Sequence, residues 1–453
     1  MFPNAPPRLR VGARGYQIHN ISLGGVAAIA KESRDDELNV GDTVRLTIQQ
    51  SGLPIFESDA KVRWAEKTIF GSKLAFGFVD TFIEIDKLIN RNLQAQIATR
   101  TPLAASAALV PQTYRAFCAD VLTLLRGYRA VLDTNMAVPA EFTRNFDHAS
   151  VFEACEARLV QEWRGLWRTG NDIVRPIMEE RERRDAVKEY TELALTPELR
   201  GGAIWDRSYT KPLGYPGDFG IMNQVYDWQR VGNTAYEMLL HRVGLEVAEC
   251  IKTRMEVVRA EIGDAVAAKG AERTTRILSL GCGSAREVET WLGKRRVESP
   301  RVEFTLIDQE QHALDYAYRA AYPHIVHDEG RCRLQCLQMS FMDVLRGTSG
   351  LNALPQQDLI YCVGLIDYLT DRRAAGLVRW LYELVAPGGL LIVGNMSETP
   401  LSNLWPMEFL TDWSLYYRTE AQMMAWTEGL DPAGAWTTSE PTGRVRLLYI
   451  AKR

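Results

Sequence analysis

Arg276-Ile277-Leu278-Ser279-Leu280-Gly281-Cys282-Gly283-Ser284-Ala285-Arg286-Glu287 begins as an apolar run, breaks at Gly-Cys-Gly and continues as a polar helix start. The pattern predicts a strand, a tight turn and a helix in order. Glycine at 281 and 283 allows a sharp turn and removes the Cβ atoms that would hold a ligand away from the amides at the helix start. The next predicted strand, Val302–Ile307, is followed by Asp308, about 25 residues after the turn, where a nucleotide-binding α/β unit places its ribose-binding acid. A nucleoside cofactor is the reading this favours. Position 285 is Ala and 286 is Arg, so the third glycine of a dinucleotide fingerprint is missing and a pyrophosphate cradle is poorly supported.

Strands and helices alternate on both sides of this unit. Strand patterns at Ile277–Leu280, Phe304–Asp308, Leu334–Phe341, Asp358–Cys362, Leu390–Gly394 and Arg444–Ala451 predict a parallel, doubly wound sheet. Helices are expected at Arg286–Leu292, Gln311–Ala321 and Arg372–Leu384. With the Gly-x-Gly turn, Asp308 and Pro387-Gly388-Gly389 before the fifth strand, the segment resembles the class I S-adenosylmethionine (SAM) methyltransferases. The resemblance implies a Rossmann-like fold with SAM as cofactor. It assigns Gly281, Cys282 and Gly283 to the methionine half, Asp308 and Gln309 to the ribose, Ser340, Phe341 and Asp343 to the adenine, and Cys362 and Val363 to the sulfonium. Ser279 stands where that family usually carries an acid. Cys362-Val363-Gly364-Leu365 replaces the (Asp/Asn)-Pro-Pro-aromatic segment of enzymes that methylate amides or base nitrogens, which argues against DNA or glutamine as acceptor.

Residues 1–98 read differently. Short alternating runs at Arg8–Val11, Gly15–Asn20, Gly25–Ala30, Thr43–Gln49, Ala60–Ala65 and Lys73–Val79, closed by a helix over Ile83–Ile97, predict a small barrel or sandwich. Asn20-Ile21-Ser22-Leu23-Gly24-Gly25 matches the (Asp/Asn)-x-Ser-x-x-Gly motif of PilZ domains, and the segment resembles that family. The resemblance implies cyclic di-GMP binding through Asn20, Ser22 and Gly25 with Arg10 and Arg14, although that arginine pair lies later in the chain than in the family. Either the start was assigned too far downstream or nucleotide binding was lost. The bland reading of the motif is a hairpin turn.

Residues 99–200 predict helices at Tyr114–Leu132, Ser150–Thr169 and Asp172–Ala194. Glu179–Glu189 carries nine charges in eleven residues, the mark of a salt-bridged exposed helix. This region is expected to relay a signal from the first domain or to form a homodimer interface. The third domain is expected over 201–453.

Two further segments carry specialised residues. Lys211-Pro212-Leu213-Gly214-Tyr215-Pro216-Gly217-Asp218-Phe219 predicts a rigid loop that covers the cofactor, with Tyr215 and Asp218 facing inward. After the fifth strand come Met407-Glu408, Trp413 and Tyr416-Tyr417-Arg418-Thr419. Together with the Gly-Cys-Gly turn these resemble a bacterial group, often fused to PilZ, named for biosynthesis of 3-hydroxypalmitic acid methyl ester, a quorum signal. That resemblance implies O-methylation of a carboxylate on a small or fatty-acid-like acceptor. A carboxylate is already ionised at neutral pH and needs no base, only desolvation and alignment. Arg418 is the expected carboxylate contact, with Tyr215, Tyr417 and Glu408 completing the catalytic set. A hydroxyl or amine acceptor would instead call for Glu408 or His241 as base. The competing class is a regulatory receptor of cyclic di-GMP and SAM with little or no turnover.

A formal net charge of −4 and 24% charged residues exclude a global field for nucleic acid. No apolar run reaches the length of a membrane span, and a cytoplasmic protein is expected. Seven cysteines suggest reduced thiols rather than a disulfide framework. His324, His327, Cys332 and Cys336 have zinc-compatible chemistry, but Cys336 falls in an apolar strand and no metal is expected.

Overall fold

The computed structural model describes residues 7–12, 14–30, 38–50, 53–68, 71–99, 108–136, 148–270, 273–295, 300–326, 328, 330–346 and 354–453. The chain divides into two compact units, residues 1–126, 173–199 and 212–215 forming one and residues 127–172, 200–211 and 216–453 the other. The helical stretch expected as a region of its own is thus shared between them.

In the first unit, β1 (Arg8–Val11), β2 (Arg14–Ser22), β3 (Gly25–Ala30), β4 (Thr43–Gln50), β5 (Leu53–Thr68) and β6 (Gly71–Phe78) close into a barrel of order β1-β2-β3-β6-β5-β4, and α1 (Ile85–Thr99) follows. Alternate residues point inward, so Leu9, Tyr16, Val26, Leu46, Ile48, Val62, Leu74 and Phe76 form one core. Part of α2 (Gln112–Met136), α4 (Arg181–Ala194) and α5 (Thr196–Leu199) complete the unit. Arg8 pairs with Glu192 of α4 at 2.6 Å, and Tyr114 and Thr191 share a buried hydrogen bond. The charge-rich segment forms exposed pairs such as Arg183–Glu180. The helix expected over Asp172–Ala194 is broken: α3 (His148–Val174) ends, Pro176 sits in a 3-10 turn Arg175–Ile177, and α4 begins afresh. Proline there removes a backbone donor and crowds the preceding turn.

In the second unit, α6 (Ala203–Thr210), α7 (Phe219–Asp227) and the 35-residue α8 (Ala235–Lys269) precede the sheet. The sheet alternates with helices: β7 (Thr275–Leu280), α9 (Arg286–Gly293), β8 (Val302–Asp308), α10 (Gln311–Ile325), β9 (Cys332–Gln338), α11 (Phe341–Arg346), β10 (Gln357–Cys362), α12 (Asp371–Leu384) and β11 (Val385–Met396). After α13 (Glu420–Met424), β12 (Pro432–Ser439) and β13 (Val445–Lys452) finish the chain. The order is β12-β13-β11-β10-β7-β8-β9. The strands β9, β8, β7, β10 and β11 are parallel; β13 inserts antiparallel between β11 and β12, so the sheet is mixed rather than wholly parallel. Strand β12 and helix α8 were not anticipated from the sequence. Strands β7, β8 and β10 are buried on both faces, as their near-continuous apolar runs require, while β9 at the sheet edge is half-buried or exposed along most of its length. No helix among the described residues is long and apolar enough to cross a membrane.

Candidate functional site

Strand order reverses between β7 and β10: the chain leaves β7 toward β8 on one side, and β10 lies on the other. Ligands of open α/β sheets bind in the crevice beyond the carboxyl ends at such a reversal. The Gly-Cys-Gly turn closes β7 there. Gly281 and Gly283 have φ of +72° and +53°, and Ala285, the cap of α9, is also left-handed. Among the described residues, chain neighbours aside, nothing lies within 4 Å of where a Cβ on Gly283 would stand, so the turn is open on that side. Asp308 fixes the turn: its Oδ2 accepts from the Gly283 N–H at 2.8 Å and its Oδ1 from the Glu310 N–H at 3.0 Å. Burial pushes its carboxyl up to about 6, with these N–H groups pulling the other way.

Phe341 is buried, its Cζ 3.7 Å from the Cβ position of Gly281. Gln309 is half-buried, and Ser340 and Asp343 are exposed at the start of α11. Cys362 is fully buried, with its thiol pushed up by desolvation, while Val363 is half-buried.

Three groups at the reversal escaped the sequence reading. Glu287 on α9 is buried and accepts from the Tyr361 hydroxyl at 2.8 Å. Tyr361 also bonds Ser279. Asp367, in the 3-10 turn Ile366–Tyr368, accepts from the Met396 N–H at 2.5 Å, and burial pushes it up to about 6. Arg254 of α8 is 7% exposed, and a methyl on Gly364 would come within 3.4 Å of its Nη2. Its charge draws Glu287 and Asp367 down against their burial. The sequence reading did not single it out, because it lies on a helix that the reading did not anticipate.

The two specialised segments do meet. Trp413 donates from Nε1 to the Tyr368 hydroxyl at 2.9 Å, and that hydroxyl donates to the Pro216 carbonyl at 3.4 Å. Gly217 packs beneath Trp413: a Cβ there would stand 2.4 Å from Trp413 Cζ2. Lys211 donates to the Asp412 carbonyl at 2.9 Å. Asp218 caps α7, its Oδ1 accepting from the Ile221 N–H at 3.0 Å and from Arg207 Nε at 2.8 Å. It therefore anchors the loop, where a cofactor contact was expected. Tyr215 falls in the first unit.

Arg418 departs furthest from expectation. Its guanidinium, 2% exposed, donates to Asp371, Asn395 and the carbonyls of Ile366 and Leu369. The fork reserved for an acceptor carboxylate is spent tying the end of β11 to the start of α12. Glu408 lies in a buried π-helix, Leu404–Leu410, and accepts from Ser414 at 2.8 Å. Single π-turns are frequent at functional sites. The Tyr417 hydroxyl is buried without a hydrogen-bond partner among the described residues, and its pKa is driven well up by desolvation. His241 accepts from the Ile204 N–H at 3.2 Å, and burial lowers it to about 4.

On the barrel, Ser22 donates to the Gly25 carbonyl at 3.3 Å, and a Cβ on Gly25 would meet the Phe76 carbonyl at 2.4 Å. Asn20 is exposed nearby. Across the β1–β2 hairpin Arg10 pairs with Gly15 and Arg14 with Val11, so the two arginines lie on neighbouring pairs beside its tip and on opposite faces of the strands. Arg14 and Asn20 are six positions apart along β2, about 20 Å at the rise of a strand. The five residues expected to form one nucleotide site therefore stand at opposite ends of that strand. Among the described residues no three His, Cys, Asp or Glu side chains gather to hold a metal ion; His327 lies outside them.

Residues 4–97 match the PilZ domain family. The closed PilZ barrel, the helical middle and the Rossmann-like sheet together make the expected fold class. No curated protein matches the chain. Among solved structures, a possible exported protein from Bordetella parapertussis is 21% identical, with a TM-score of 0.44 over 57% of this chain and 88% of that one. Magnesium protoporphyrin IX methyltransferase from Synechocystis PCC 6803 with bound SAM is 14% identical, with a TM-score of 0.32 over 46% and 84%. The N-methyltransferase NodS from Bradyrhizobium japonicum WM9, in complex with S-adenosylhomocysteine, is 15% identical, with a TM-score of 0.30 over 44% and 86%.

Proposed function

We propose that the sheet-bearing unit is a SAM-dependent methyltransferase acting on the oxygen of a carboxylate, in a small or fatty-acid-like molecule such as a 3-hydroxy fatty acid. The observation that carries the reading is the Gly281–Gly283 turn, open on one side at the strand-order reversal and held by both carboxylate oxygens of Asp308. The carboxylate is bonded by the N–H groups of Gly283, Gln309 and Glu310, which leaves one of its about four acceptor positions for a ribose hydroxyl. The cofactor supplies a methyl group on a positively charged sulfur. The chain's own residues bind, orient and exclude water. The Pro216–Asp218 loop, stitched to Tyr368 and Trp413, walls the site with aromatic surface. The acceptor side favours a substrate that is already ionised: His241 is held in the packing of α6 on α8, and Glu408 is engaged by Ser414.

For the PilZ barrel the proposal is cyclic di-GMP sensing through Asn20 and Ser22, without Arg10 and Arg14 in the same site. The domain limits that go with this reading are 1–98, 99–200 and 201–453.

Calorimetric titration of the full chain with SAM, and separately with cyclic di-GMP, tests both parts. SAM binding that is lost in Asp308→Ala, followed by label transfer from methyl-labelled SAM to fatty acids, is the expected result. Absence of SAM binding to the unmodified chain ends the catalytic proposal. Cyclic di-GMP binding that is weakened by Arg10→Ala but not by Ser22→Ala ends the assignment on the barrel.

A further inference from the structure

Arg254 makes no hydrogen bond or ion pair with any described residue, although it is more than nine-tenths buried. A largely buried cation with no protein partner is costly, because it keeps little water and gains no ion pair in return. The acids that feel its charge, Glu287 and Asp367, are committed elsewhere, to the Tyr361 hydroxyl and the Met396 N–H. Its guanidinium lies over Gly364, two residues beyond the end of β10, and its charge reaches Glu287 on the helix that follows β7. It therefore stands at the reversal crevice, between the two strand ends a ligand would bridge. A Cβ at position 364 would stand in ordinary contact with the guanidinium, 3.4 Å from Nη2.

We propose that Arg254 is the anchor for the α-carboxylate of the cofactor's amino-acid half. This rests on the SAM reading above and adds to it the residue that recognises the amino acid rather than the nucleoside. An unpaired guanidinium beside buried carboxyls is the charge complement of an α-amino acid, whose carboxylate takes the bidentate fork while its ammonium stays among acids. A role confined to balancing Glu287 and Asp367 would leave ligand chemistry untouched, which separates the two explanations.

The experiment compares two probes that share the nucleoside and differ in the amino-acid group. The full chain, Arg254→Gln and Arg254→Lys are titrated with S-adenosylhomocysteine and with 5′-methylthioadenosine, and their thermal unfolding is followed by circular dichroism. In Arg254→Gln the expected loss is at least about 30-fold for S-adenosylhomocysteine, the scale for truncating one partner of a buried charge pair. Methylthioadenosine is expected to bind wild type and variant alike, and Arg254→Lys to recover part of the lost affinity. Equal losses for both probes, or no loss for either, overturn the proposal. If the unmodified chain binds neither probe, the cofactor reading itself falls. If it binds both with the same affinity, only the carboxylate anchor falls.

Discussion

Asp308 sits where burial and hydrogen bonding oppose one another, and the balance leaves its carboxyl at about 6, above the ordinary value of about 3.9. An acid raised on folding binds its proton more tightly in the folded state. Its favourable contribution is therefore complete below about pH 4 and lost as the pH rises through about 6; Asp367 shares that sign and window. Ribose hydroxyls donating to Asp308 would favour the ionised form, so cofactor binding should release a proton near pH 6 and tighten as the pH rises through it. Calorimetry at pH 6 in buffers of different ionisation enthalpy reads that release directly, and a heat independent of buffer would show that Asp308 does not meet the ligand. Arg418 teaches the opposite lesson. Its residue type and its place after the fifth strand suggested a carboxylate contact, yet four protein acceptors already take its guanidinium. Sequence shows that a fork exists; only the folded neighbourhood shows whether it is occupied.

Gly217 shows the same dependence among elements. It has a φ of +72°, and a Cβ would enter the Trp413 ring. Gly443 has a φ of +73° with nothing within 4 Å of its Cβ position, so it isolates the backbone strain from the clash. Gly443→Ala is expected to cost about 1 kcal/mol, and Gly217→Ala about 2 kcal/mol or more, by urea midpoint. Equal costs would mean that Trp413 yields freely. Strands β7, β8, β10 and β11 were legible because each is an apolar run bounded by Gly, Pro or Asp, and the turn after β7 because glycine marks it; β12 has no such run. The Gly217–Trp413 contact was not, since it joins positions almost 200 residues apart. Helix α8 hid Arg254 for a different reason. Arg254 sits beside the apolar stripe Met255, Val258, Ile262 and Val266, where a charge in the sequence reads as a solvated one.

At the scale of the molecule, two units with separate cores predict two unfolding steps on heating. S-adenosylhomocysteine at about 100 times its dissociation constant should stabilise only the sheet-bearing unit, by about 2.7 kcal/mol. Differential scanning calorimetry checks this: one step should move and the other stay, and movement of both would mean that the units unfold together. The barrel, for its part, is sealed by its smallest stave. Strand β1 is four residues long and bridges β2 to β4. The other strands of that ring have six to sixteen residues. If Arg8–Val11 came away, two rows of bare amides and carbonyls would open at once, on β2 and on β4, turning a ring with no free margin into a sheet with two adhesive ones. The residues nearest the start of the chain thus guard its solubility as much as its shape.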